Sequence, residues 1–323
     1  MPLDALCLSG VVHELSTALT GSKIDKIYQP SRYEMIFALR GAGKNVRLLL
    51  SANPTHPRLH LTELSRENPD VPPMFCMLLR KHLTGARLLE MRQVPLERVV
   101  ELRLEALNEL GDRVERRLVL EAIGRRANLL LLDEDGRILD CIRRVDADLT
   151  QERVLLPGML YRLPPVQDKR DPAALDREAL ETLLAQAPEE AQADKWLLDV
   201  FRGLSPLVCR ELALRAGGAT DVRLCQMPNR SRLLDELEGL LEQVRAHQYT
   251  PVVLCQKGKP FDFTFFPAAQ YGEDCKIFPT FSQLLDGFYE SREAQERVKQ
   301  RGQDLIRAVT NARDRTARKI GLQ

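Results

Sequence analysis

A charged pair, Glu97-Arg98, stands just before the apolar alternation of Val100, Leu102 and Leu104. A strand end can aim such a pair without burying it. An arginine there can fork onto a phosphate or a base edge, though a surface ion pair has the same composition. Gly124-Arg125-Arg126-Ala127-Asn128 puts two guanidiniums and an amide on one tight turn, where forked donors suit phosphate oxygens. Arg202-Gly203-Leu204-Ser205-Pro206 is a short turn between two helical patterns. Such a helix-hairpin-helix can present backbone N–H groups to a phosphate, or be a plain helical corner. Gly41-Ala42-Gly43-Lys44-Asn45 lacks the full phosphate-loop pattern and a following helix, so it reads as a hairpin turn. The seven cysteines form no CxxC pair and no zinc spacing, which points to reduced thiols and no metal site. No nucleophile elbow, HExxH or dinucleotide fingerprint occurs.

The elements that must carry these groups are legible in outline. Apolar spacing predicts a helix over residues 2–20, with Gly21 at its C-terminal cap. Strands follow over Lys23–Gln29, Tyr33–Arg40, Val46–Ser51 and Arg58–Leu61. Pro72 and Pro73 lead into a helix with Phe75, Leu78, Leu79 and Leu83 on its buried face and Arg80, Lys81 and His82 at its end. Strands are then expected over Arg98–Leu104, Val114–Ala122, Asn128–Asp133 and Arg137–Val145. Their arginines, Arg113, Arg116, Arg117, Arg143 and Arg144, alternate with acids and read as a solvated face. Leu155–Leu175 is rich in proline and reads as a domain boundary. Helices are expected over Arg177–Gln186, Ala193–Arg202, Pro206–Gly217 and Asn229–His247, then a hairpin around Gly258. Trp196 and the phenylalanines read as core. The charged tail from Ser291 reads as the first arm of a coiled coil cut short, hence a fragment.

The chain of 323 residues is long enough for two or three domains, and 44% apolar content suffices for their cores. Charged residues make up 29%, yet the net charge is only +1, so any basic surface must be local. There is no signal peptide and no apolar run of spanning length, which points to a cytoplasmic protein with no membrane partner. Pro2 would become an N-terminal secondary amine on methionine removal, the nucleophile of the formamidopyrimidine-DNA glycosylases. Leu3 stands where those enzymes carry a glutamate, and their zinc finger is absent.

Several long runs carry a resemblance: KIYQPSRYEMIFALR, GKNVRLLLSANPTHPRLHLT, NPDVPPMFCMLLRKHL, LLPGMLYRLPPVQDK and FPTFSQLLDGFY. In this order they resemble the NFACT family of RqcH ribosome-quality-control factors, formerly called fibronectin-binding protein A-like proteins. The resemblance implies an α+β fold. It comprises an NFACT-N domain over residues 1–170, similar to the glycosylase N-terminal domain, and a helix-hairpin-helix domain over 171–248. A β-hairpin and helix returning to NFACT-N follow over 249–290, then the start of a coiled-coil arm over 291–323. Full-length relatives continue into a second arm and a further domain. The family is implied to bind large ribosomal subunits carrying stalled peptidyl-tRNA and nascent chain. It recruits tRNA, mainly alanyl-tRNA, for template-free C-terminal tailing. Ribosomal RNA does the peptidyl transfer, so the factor is a binding protein without a cofactor, not an enzyme.

Mapped residue by residue, the family's Asp-Arg motif is Glu97-Arg98 here, its early acid is Asp4 followed by Ala5 in place of glycine, and its Gly-Arg-His-Ser-Asn turn is Gly124–Asn128. The resemblance thus assigns tRNA binding to Asp4, Glu97, Arg98, Arg125, Arg126 and Asn128. Arg58, Arg80, Lys81 and Ser205 are expected to add phosphate contacts. The alternatives from other classes are a fibronectin-binding adhesin and a Pro2-dependent glycosylase.

Overall fold

The structure is a computed structural model that describes residues 3–41, 43–145, 153–272 and 274–290, together with 292, 306, 309 and 310. Pro2 and most of the tail read as a coiled-coil arm lie outside the described residues.

Helix α1 (Ala5–Leu19) starts where the Asp4 carboxylate accepts from the Cys7 amide at 2.7 Å. Leu6, Leu8, Val11, Leu15 and Leu19 are all at most 1% exposed. A helix that apolar belongs in a core, not on a surface. Helix α2 (Met74–Leu83) buries Phe75, Cys76, Leu79 and Leu83 and leaves its basic end outside.

The strands are β1 (Lys23–Ser31), β2 (Glu34–Gly41), β3 (Lys44–Ser51), β4 (Arg58–Leu61), β5 (Arg87–Gln93), β6 (Val99–Leu107), β7 (Arg113–Glu121), β8 (Asn128–Leu132) and β9 (Ile138–Cys141). They form one antiparallel sheet in the order β4-β3-β2-β1-β5-β6-β7-β8-β9. Two meanders are therefore joined through β1 and β5. The sheet curls enough that α2 packs against β1, β6 and β9. Strand β5 departs from the sequence reading, which expects no strand between Leu83 and Arg98. A register shift between Leu88 and Glu90 breaks the alternation that identifies strands. Glu97-Arg98 consequently lies in a hairpin turn between β5 and β6.

The segment read as a boundary is partly packed. Leu155 bridges Val145, and Leu160 bridges Arg137. Leu155 is 5% exposed and sits in a second, smaller core with Val99, Val119, Leu130 and Leu132 on the sheet's outer face.

Four helices follow: α3 (Arg177–Ala185), α4 (Ala193–Val200), α5 (Pro206–Gly217) and α6 (Ser231–Arg245). Helix α5 has Ser205 as N-cap, Pro206 in its first turn and Gly218 as a left-handed cap at φ +84°. Trp196 packs edge-on against Phe201 at 5.6 Å, as core. A second sheet, ordered β11-β10-β12, holds β10 (Val252–Gln256), β11 (Lys259–Thr264) and the unanticipated three-residue β12 (Cys275–Ile277). Residues 281–290 are helical. The Phe281 ring comes so close to Gly10 of α1 that a Cβ there would lie 2.6 Å away.

A candidate nucleic-acid interface

The β5–β6 turn is built from Val94, Pro95, Leu96 and Glu97, closed by the Glu97 amide on the Val94 carbonyl at 3.0 Å. Proline suits the second position of such a turn, and the third needs positive φ. Leu96 fills it at φ +57°, an uncommon conformation for leucine. Its side chain abuts Gly203, in the α4–α5 turn, at φ +82°. A Cβ on Gly203 would lie 2.9 Å from both Cβ and Cδ2 of Leu96. Gln93 ties the turn to α1, donating to the carbonyls of Ala5 and Glu97 at 2.8 Å each.

Three chain segments thereby meet at a cavity of about 1190 Å³. Asp4, Glu97, Arg98, Arg126 and Ser205 all line it. Asp4 and Ser205 cap two helices whose N-termini meet there. The Ser205 hydroxyl accepts from the Val208 amide at 3.3 Å and donates to Asp4. Burial pushes the Asp4 carboxyl up from its ordinary value, against the Cys7 amide and the Ser205 hydroxyl. Burial likewise raises the Glu97 carboxyl, opposed by Arg202 and Arg98, and lowers the Arg98 guanidinium, opposed by Asp4 and Glu97. Arg98 is half-buried in this wall, not fully exposed.

Other predicted residues are placed elsewhere. Asn128 is 1% exposed and its amide is spent on the fold: it donates to the Arg143 carbonyl at 2.7 Å and accepts from the amides of Leu129 and Arg143. It shapes the turn that carries Arg126 and does not face a ligand. Arg125 is exposed in that turn, outside the cavity lining, and its carbonyl accepts from the Arg143 guanidinium. Arg58 is 1% exposed, paired with Glu34 at 3.1 Å and stacked 4.6 Å from the Tyr289 ring centroid. It cannot reach a phosphate, because its guanidinium lies inside the β4 edge where residues 281–290 cover it. Arg80 donates to the Ile27 carbonyl at 2.8 Å. Lys81 pairs with Glu109 at 2.6 Å, beyond the far end of β6 from Arg98. Nine strand residues span about 30 Å, so Lys81 belongs to another surface.

Residues that the sequence reading passed over complete the cavity: Glu121, Arg143, Arg153, Gln167 and Arg202. Arg143 was visible only as one arginine among many, and Arg202 only as the edge of a turn. Arg202 holds Asp171 at 2.6 Å. The cavity thus has five guanidiniums and three carboxylates on its lining, and burial raises the pKa of two of those carboxyls, Asp4 and Glu97. Such a lining favours an anionic ligand and adds donors that fit phosphate or base edges. Among the described residues, no group of three or more His, Cys, Asp or Glu is placed to hold a metal ion. No helix among them is long and apolar enough to cross a membrane.

The family profile described as NFACT N-terminal and middle domains matches residues 4–323. The Rqc2 homolog RqcH of Bacillus subtilis is 36% identical over 321 residues, covering 99% of this chain and 54% of that protein. The crystal structure of the fibrinogen binding protein from Staphylococcus aureus superposes with a TM-score of 0.74 at 27% identity, over 88% of this chain and 98% of that one. The N-terminal part of the fibronectin/fibrinogen-binding protein from Streptococcus suis gives 0.74 at 29% identity, over 90% and 99%. The chain spans about half the length of the curated relatives it matches.

Proposed function

Because the chain belongs to the RqcH-like NFACT family, we propose that the cavity is an RNA site through which the whole protein recruits tRNA to an obstructed large ribosomal subunit. There it supports template-free tailing of the stalled nascent chain, with alanyl-tRNA as the expected donor. The observation that supports this reading is the convergence of Asp4, Glu97, Arg98, Arg126 and Ser205 on one cavity with Arg143 and Arg202. Phosphate oxygens would take the forked arginine donors, and the recessed Glu97-Arg98 pair would meet a base edge. The role is binding and positioning, with the transfer chemistry left to the ribosome. The reading includes a glycosylase-like N-terminal fold, a helix-hairpin-helix over residues 171–248 that offers the α5 N-terminus to the cavity, and a coiled-coil arm beginning in 291–323. It places the protein in the cytoplasm.

The test is sequencing of RNA that co-purifies with the full-length protein, beside an Arg98→Ala variant. Enrichment of one tRNA family and large-subunit RNA, with the tRNA lost in the variant, is the expected result. Equal tRNA recovery from both proteins would refute the site. A second reading, adhesion, is favoured by the solved structures described as fibrinogen- and fibronectin-binding proteins. Binding to immobilised fibronectin or fibrinogen that survives Arg98→Ala, together with surface exposure on cells, would support it instead.

A further inference from the structure

Glu121 ends β7 directly across from Val99, and the amide of Ala122 donates to the Arg98 carbonyl at 2.7 Å. Its side chain is 2% exposed, and the residue lines the cavity. A carboxylate buried there would oppose an anionic ligand, and it is strongly destabilising unless it is paired. The partner comes from a segment remote from β7. Arg153 grips both carboxylate oxygens, at 2.9 and 2.6 Å, and the Tyr161 hydroxyl donates to Glu121 at 2.9 Å. The Arg153 Nε also donates to the Arg162 carbonyl at 2.7 Å, and its guanidinium lies 5.1 Å from the Tyr161 ring centroid. Leu155 is buried in the smaller core against which Tyr161 packs. Residues 153–162 are therefore pinned to the end of β7, and the chain beyond them supplies Pro164, Pro165 and Gln167 to the cavity wall.

We propose that Arg153 is a positioning residue for RNA at this cavity. It cancels the Glu121 charge next to the Arg98 strand and holds the strap that forms one wall, and it does not itself contact phosphate. The proposal rests on the reading of the cavity as an RNA site. A guanidinium already bound to two carboxylate oxygens and a carbonyl retains little donor capacity for a ligand. Its net effect on the cavity is thus to make a carboxylate electrostatically silent.

The opposed charges make the consequence specific. Glu121→Gln removes the acid and leaves a cation on the wall. Arg153→Gln leaves the acid uncompensated. The double variant is again neutral. The measurement is the affinity of the full-length protein for labelled, deacylated total tRNA across a range of salt concentrations, with Arg98→Ala as reference and thermal unfolding of every variant. Glu121→Gln is expected to bind roughly five- to eightfold more tightly at 0.1 M salt, with a salt slope steeper by about 0.7–0.9, the increment for one more neutralised phosphate. Arg153→Gln is expected to bind more weakly, and the double variant to return close to wild type. A gain of binding in Glu121→Gln cannot arise from misfolding. Unchanged or weaker binding in that variant overturns the proposal. So does a double variant as weak as Arg153→Gln, which would make Arg153 a direct contact. Lowered melting temperatures with unaltered salt slopes would make the pair purely structural and also overturn it. If wild type and Arg98→Ala bind tRNA equally, the RNA reading of the cavity fails first, and this proposal fails with it.

Discussion

Substituting Gly203 by alanine tests the contact on which the cavity depends. An alanine at φ +82° is in the left-handed region, which costs about 1–2 kcal/mol. Its Cβ would stand 2.9 Å from two carbons of Leu96, so one turn must shift, at an overpacking cost of about 1–3 kcal/mol. The expected loss is therefore about 2–5 kcal/mol. Leu96→Gly alone relieves the strain at φ +57° but loses apolar contact and adds chain entropy, for a net cost of about 1 kcal/mol. In the double variant the overpacking vanishes, so the two costs fall short of additivity by about 1–3 kcal/mol. Trp196, the one tryptophan in the chain, packs on Phe201 two residues before Gly203 and provides the fluorescence probe for denaturant unfolding. Because the displaced turn carries Glu97 and Arg98, tRNA affinity should fall in Gly203→Ala and recover in the double variant. A Gly203→Ala protein within 0.5 kcal/mol of wild type (a roughly twofold change in equilibrium constant), or strictly additive costs, would refute the reasoning.

Arg58→Met should cost about 1–3 kcal/mol, because Glu34 loses one guanidinium but keeps Arg66 at 3.3 Å, yet leave tRNA affinity unchanged in protein that remains folded; an RNA defect at full stability would restore Arg58 to the site. His60 is fully buried and its pKa is lowered to about 4, mainly by burial. A group whose folded pKa is depressed binds its proton more readily when unfolded, so stability falls as pH drops from about 6.5 toward 4. At pH 5 the loss should be about 2 kcal/mol relative to pH 7, and His60→Gln should flatten that part of the profile in denaturant titrations. For Glu97 the sign is opposite: its raised carboxyl takes up a proton first in the folded state, so acidification from pH 7 removes a negative charge from the cavity. tRNA affinity at fixed salt should rise as pH falls toward its folded pKa, and Glu97→Gln should reduce that rise; an affinity that falls on acidification in wild type would count against the electrostatic picture.

Much of the fold was legible because local patterns carry it. The helix α6 was visible in Leu233, Leu234, Leu237, Leu240 and Leu241, all buried. The Gly258 hairpin and the bounds of β4 follow the same logic of period and turn chemistry. Strand β5 was not legible, since its register shift erases the period-two signal, and β12 is too short to have one. The candidate site divides along the same line. Residue type marked Arg98 and Arg126 as candidate anion contacts, and the fold sets both on the cavity lining. Asn128 and Arg58 have the same chemistry on paper, but burial turned one into a turn brace and the other into an ion-pair partner inside a sheet edge.

The sequence by itself determined most of the elements, the turn glycines, the family runs and the stock of forked donors. All of these are properties of neighbours within a few positions. Tertiary structure alone decided that Asp4 meets Ser205, that Leu96 rests on Gly203, and that Arg153 silences Glu121. Those contacts join segments far apart in the chain, so nothing in local spacing encodes them. They are set when two helix N-termini and a strand turn are brought together by the burial of apolar faces that lie elsewhere.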